Sequence, residues 1–151
     1  MAYATTKAAL VTHAAAAGAA LSDPILDVRA ALPVPKGRCI RVYYGGETLP
    51  AKMDGKRYTL NSEMVAEVTL IAAFFPVVLN DEAVTAQIDT DLYTLKHELR
   101  TRILGDAQLG GASTDTELDY VEPDLVTYNN VRYLMGLWRV VSDITEYPLA
   151  P

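Results

Sequence analysis

The residues from Asn80 to Gly105 constrain this chain more than any other stretch, because they specify a helix with a start, a buried face and a stop. Val84, Ile88, Leu92, Leu95, Leu99 and Ile103 recur at steps of three and four, which places them on one stripe of an α-helix. Asn80 is placed to cap it, Asp81 and Glu82 put negative charge in the first turn, and Arg100 and Arg102 put positive charge in the last, as the helix dipole favours. Gly105 supplies the stop. Burying a large aliphatic side chain stabilises by roughly 1.5 to 3 kcal/mol, whereas an exposed ion pair contributes about 0 to 1 kcal/mol. The stripe therefore dominates, and the helix must lie on an apolar surface. Gln87, Asp91, Thr94, Glu98 and Arg102 are expected to stand outward.

That surface is the segment just before it. From Glu63 to Phe75 one alternate set holds Met64, Ala66, Val68, Leu70, Ala72 and Phe74, and the other holds Glu63, Val65, Glu67, Thr69, Ile71 and Phe75. This is the pattern of a long central strand ended by Pro76, and its second face changes from polar to apolar partway, so the later half is expected to be covered on both sides. Val131 to Tyr147 reads as a second long strand, with Leu134, Gly136, Trp138, Val140 and Ile144 on one face and Tyr133, Met135, Leu137 and Val141 on the other. Its length points to an end that projects or pairs with a neighbour.

The other elements follow from local signals. Thr5 or Thr6 can cap a first helix to about Ala20, with Leu10, Ala14, Ala17 and Leu21 on one close-packing, alanine-rich face. Asp23 and Pro24 predict a short turn of helix over Ile25 to Leu32. Arg38 to Tyr44 alternates and is rich in β-formers. With Lys56 to Asn61 it predicts a hairpin whose long tip begins at Gly45-Gly46 and carries Lys52, Lys56 and Arg57; the bland reading of that basic tip is a solvated loop. Gly105 to Thr116 has no periodicity and reads as a mobile loop. Thr116 to Val121 alternates, Pro123 interrupts, Leu125 to Tyr128 resumes, and Asn129-Asn130 makes a tight turn into the final strand. The expectation is an α+β fold in one domain over 1–151: a mixed or antiparallel sheet of about five strands with two main helices, in the order α-β-β-β-α-β-β.

Composition excludes several function classes. In 151 residues, 13 Lys plus Arg stand against 19 Asp plus Glu, a formal net charge of -6, the wrong sign for a free-standing nucleic-acid binder. The single cysteine, Cys39, rules out an intramolecular disulfide and a multi-cysteine metal site, and it sits in a strand where a small buried hydrophobe belongs. Thr12 and His13 interrupt the Ala-rich opening too strongly for a secretory signal. The longest apolar run, Leu70 to Leu79, is about half of the roughly 20 residues a membrane span needs and contains Pro76; the protein is expected to be soluble.

No stretch spells catalysis. His13 lies among alanines and His97 between Lys96 and Glu98, so a ligand pair would require them to converge from different elements. Asp89 and Asp91 diverge on the helix. Asp115, Glu117, Asp119, Glu122 and Asp124 form an acidic run that lacks the glycine and spacing of a calcium loop and reads as a solvated edge. Gly110-Gly111 lacks the lysine and the strand-then-helix context of a phosphate loop, and Ser113 lacks the glycines of a nucleophile elbow. No cofactor is called for.

The whole pattern resembles the tail terminator proteins of long-tailed (siphovirus-like) bacteriophages. The likeness is carried by the opening helix with Ala8-Ala9-Leu10-Val11, the hairpin from Arg38 through Gly45-Gly46 to Arg57, the strand-then-helix unit from Glu63 to Gly105, and the closing stretch Trp138 to Leu149. It covers nearly the full chain as a match of length, element order and character. The resemblance implies a structural, non-enzymatic virion protein: a homo-oligomeric ring, usually a hexamer, that ends the tail tube and offers a surface to the head-proximal connector protein. Tube protein and connector would be its partners, DNA would pass through without specific binding, and assembly would occur in the host cytoplasm. Six copies at -6 give a formal -36, a lining that repels phosphate. By the same resemblance the strands would wall the ring, and Lys52, Lys56, Arg57, Gln108, Leu109, Ser113, Thr114, Trp138 and Tyr147 are candidate interface residues. Two alternatives share the composition: another head–tail connector or tail component, and, from a different class, a small enzyme or ligand-binding domain assembled from His13, His97 and the acidic run.

Overall fold

The computed structural model describes residues 2–48, 63–78, 80–113 and 115–146. In chain order they form α1 (Ala2–Ala19), β1 (Val28–Ala30), β2 (Cys39–Thr48), β3 (Glu63–Pro76), α2 (Glu82–Leu104), β4 (Asp115–Tyr128) and β5 (Val131–Glu146). This is an α+β fold: one five-stranded mixed sheet of order β1-β2-β3-β5-β4, with both helices on one of its faces.

The long strands set the register. β3 and β5 run antiparallel from Glu63 opposite Glu146 to Pro76 opposite Tyr133, so each supplies the other's backbone partners over its whole length. That pairing aims Ile71, Ala73 and Phe75 of β3, with Trp138 and Val140 of β5, at the helices, where they join Leu10, Ala14, Ala17 and Leu21 of the α1 side and Ile88, Leu92, Leu95, Leu99 and Ile103 of α2 in one buried core. Both predicted helical stripes are the faces that pack. Gly136 lies on this face because α2 approaches too closely for a side chain: a Cβ there would sit 2.6 Å from Leu92 Cδ1 and 3.0 Å from the Trp138 ring. Gly18 brings α1 into a tight but less closed approach, where a Cβ would lie 3.1 Å from Ile25 O and 3.3 Å from Ile40 Cδ1.

The opposite face carries Cys39, Ala72, Phe74 and Tyr133, then Ala66, Val68 and Val141, all buried. β3 is thus apolar on this face from end to end and mixed on the helix face, where Glu67 and Thr69 precede Ile71. The β1–β2 connection comes to the Tyr133 side, with Pro35 buried and the Gly37 N–H 3.4 Å from Tyr133 Oη.

Four local expectations are corrected. The short helix over Ile25 to Leu32 is instead β1, a parallel strand matching Val28 to Ile40 and Ala30 to Val42. Asp23-Pro24 favours a helix start, but β2 offers open backbone groups: the Ile40 N–H donates to Asp27 O and the Ala31 N–H to Val42 O. Gly45-Gly46 does not end β2. It forms a bulge between Tyr44 and Gly46, with Gly46 at φ 104°, and the strand pairs with β3 as far as Thr48 opposite Ala66. The expected hairpin partner, Lys56 to Asn61, lies outside the described residues. Pro123 does not split β4 in two; a bulge between Val121 and Asp124 absorbs the residue that cannot donate, as an edge strand tolerates. Finally, α2 is capped by Asp81, whose carboxylate accepts from the Val84 N–H at 3.2 Å, while Asn80 turns the chain at φ 70°. Gly105 stops the helix in right-handed geometry at φ -74°, so its left-handed freedom is not used. Asn129 and Asn130, at φ 49° and 62°, make the two-residue turn between β4 and β5.

Candidate interaction surfaces

The connection after α2 is tied to the body by hydrogen bonds and buried side chains. Between Gly105 and Ser113 it makes successive backbone bonds, including Leu109 N–H to Asp106 O at 2.9 Å and Ser113 N–H to Gln108 O at 2.9 Å. Leu109 is fully buried in the core, and Thr116 Oγ1 donates to Ala107 O at 2.6 Å. Ser113 is buried, its hydroxyl donating to Asp115 O at 2.6 Å. From α1, His13 Nε2 lies 2.8 Å from Asp106 Oδ2. A polar, glycine-rich composition hid these anchors, since only Leu109 among the loop's residues signals burial. Of the candidate contacts here Gln108 alone is exposed. Leu109 and Ser113 are internal, and Thr114 lies outside the described residues, as do Lys52, Lys56, Arg57 and Tyr147.

Trp138 is core as well. It is 1% exposed beneath α2, its ring centroid 5.2 Å from that of Tyr120, directly opposite on β4. Lys96 places its Nζ 5.2 Å from the Tyr120 ring centroid, close enough for a cation–π contact. With Arg100, Leu104 and Leu118 these residues line a cleft of about 240 Å³ between α2 and β4. Near the other end of α2, Val77, Val78, Ile88, Leu125 and Leu134 line an apolar hollow of about 360 Å³. Val78 and Leu125 are each more than half exposed there.

The charged residue read most differently is Asp91. Expected outward, it is 1% exposed, with Arg38 Nη2 at 3.1 Å and Ser22 Oγ and Gln87 Nε2 at 3.0 Å. Arg38 also lies over the Phe75 ring at 5.0 Å. This cluster ties the end of α1, the start of β2 and the middle of α2 together. Arg41, 2% exposed, makes a two-point pair with Asp27, Nη1 to Oδ1 at 3.0 Å and Nη2 to Oδ2 at 2.8 Å, and this hydrogen bonding holds the Asp27 carboxyl below its ordinary range. At the far end of the helix face, Tyr3 and Tyr44 stack edge to face at 5.2 Å, and Thr69 Oγ1 donates to Tyr3 Oη at 3.2 Å. The Tyr44 phenol donates to Glu67, which pushes its pKa up to about 12. Burial pushes the Cys39 thiol up, in keeping with a small buried hydrophobe.

The constellation of His13, His97 and the acidic run is not assembled as one site. His13 takes Asp106, outside the run, and His97 stands exposed beside Tyr93, Lys96 and Arg100 at a depression of about 90 Å³. Within the run, Asp119 reaches Arg139 at 3.7 Å. No group of three or more His, Cys, Asp or Glu side chains is placed to hold a metal ion among the described residues. Among them, too, no helix is long and apolar enough to cross a membrane.

What stands open is sheet edge. β4 pairs only with β5, leaving its outer edge unpaired by any described residue over 14 residues, with Val121, Leu125 and Tyr128 exposed along it. At the other edge β1 covers β2 only at Ile40–Val42, and no described residue pairs with Tyr43 to Thr48 from that side. Neither the comparison with protein-family models nor that with curated proteins gives a match for this chain.

Proposed function

We propose that this chain is a structural, non-catalytic subunit of a phage virion, a tail-terminator-like protein that closes into a homo-oligomeric ring at the head-proximal end of the tail tube. One observation carries the reading beyond the resemblance: among the described residues the sheet ends in two different open edges. The outer edge of β4 and the stretch of β2 beyond β1 are unlike surfaces, so copies joined through them associate head to tail. A head-to-tail contact that closes makes a ring and leaves no edge for aggregation. The element order supports the same reading, as does the formal charge of -6 per chain, which would line the ring with negative potential facing the DNA. Tube protein below and connector above are the partners, and the hexamer is the expected stoichiometry.

The test mixes purified chain with polymerised tail tubes of the phage that encodes it and images the ends by negative-stain electron microscopy. The expected result is a ring of density on one end of each tube and arrested elongation. Bare ends and undiminished growth at saturating chain overturn the proposal.

A further inference from the structure

We infer that the outward stripe of α2 is a two-fold contact surface for a second copy of this chain, separate from the sheet edges. Opposite the buried stripe, Glu82, Ala86, Asp89, Tyr93, His97, Arg100 and Leu104 follow at helical spacing and form one exposed line, with the half-buried Lys96, its Nζ over the Tyr120 ring, at its edge. The charges on it are segregated. Glu82 and Asp89 occupy the first half, Lys96 and Arg100 the second with the imidazole of His97 beside them, and Tyr93 stands between. An antiparallel copy of α2, related by a two-fold axis near Tyr93, sets Asp89 of each chain against Lys96 and His97 of the other, Ala86 against Arg100 and Glu82 beside Leu104. The line is thus complementary to itself, as a two-fold interface requires, and the occupant it fits is this same chain.

The helix dipole alone favours acid first and base last. It gives no reason for Tyr93 to be 72% exposed at the centre, or for Leu104 to be 45% exposed at the end, in a helix whose other large apolar side chains are buried or partly buried. An aromatic ring at the centre with charges around it is the arrangement of a protein contact. The size of the contact is bounded. A 23-residue helix is about 34 Å long, and two such faces bury an area at the low end of specific interfaces. The dimer is therefore weak, and screening of its charges by salt dissociates it. Two-fold and head-to-tail contacts are independent, so this inference does not rest on the ring.

Sedimentation velocity over a concentration series at low ionic strength tests it. The wild-type chain shows a reversible step of two chains that fades with added salt. Asp89→Lys and Lys96→Glu each weaken it tenfold or more, and the double variant Asp89→Lys/Lys96→Glu restores it. These residues are seven apart and cannot pair within one helix, so the rescue reports a contact between copies. Tyr93→Glu abolishes the step, with circular dichroism confirming that each variant is folded. Absence of the two-chain step at low salt, single variants that leave it unchanged, or a double variant no better than either single one overturns the inference. Ring formation that survives Tyr93→Glu leaves the ring reading standing whichever way the two-chain step behaves.

Discussion

At the scale of single residues, burial separates the side chains that hold this protein from those that decorate it. Leu95 is fully buried at the middle of the α2 stripe, so Leu95→Asp places a carboxylate in the core and is expected to abolish folding, read as loss of the cooperative thermal transition. Glu98 pairs only with Arg102 one turn on, at 3.1 Å, and Glu98→Ala is expected to change stability by less than about 0.5 kcal/mol in the same measurement. Asp91 looks like Glu98 in the sequence, one more acid on a polar face, yet it differs physically. Removing it leaves Arg38, held over Phe75, with only the exposed Asp23 carboxylate at 3.6 Å and strips Ser22 and Gln87 of a shared acceptor, and Asp91→Ala is expected to cost about 1 to 3 kcal/mol by urea denaturation. Tyr44 gives a pH signature. Its folded pKa is raised to about 12, so the stability from its bond to Glu67 is fully present below the ordinary phenol value near 10 and is lost as pH rises towards 12. Tyrosinate absorbance is expected to show one phenol titrating late, and Glu67→Gln to bring it back towards its neighbours.

At the scale of elements, the regular segments were legible and the connections were not. The stripes of α1 and α2, the long strands β3 and β5 and the Asn129-Asn130 turn each follow from period or turn chemistry within the segment, and each is observed. The short parallel strand β1 was not readable, because its backbone partners lie on β2 and its own residues favour a helix start. The anchors of the Gly105–Ser113 connection are hidden in the sequence for the same reason: glycines and small polar residues signal freedom, while its partners come from elsewhere. His13→Ala removes the link from α1 to Asp106, and amide hydrogen exchange over residues 105–113 is expected to quicken while the α2 core stays protected. Equal exchange in both proteins would show that Leu109 and Thr116 hold the connection without α1.

At the scale of the whole molecule, two helices cover one face of a twisted five-stranded sheet and the long edge of β4 is left open among the described residues. If that edge joins copies, Val121→Lys, an exposed position on it, should leave the fold intact by circular dichroism and reduce assembly to nothing larger than the two-chain species by light scattering. The sequence by itself determined the two main helices and the long strands β3 and β5, because hydrophobic period is a property of the segment. It determined the acidic balance and the buried character of Cys39, because composition and local alternation suffice for both. Only the tertiary structure decided that Asp91 is an internal partner of Arg38, that Leu109, Ser113 and Trp138 are interior rather than contact residues, and that β1 is a strand. Each of these depends on which distant groups arrive beside the residue, and a chain brought together by long strand pairings fixes those neighbours only when it folds.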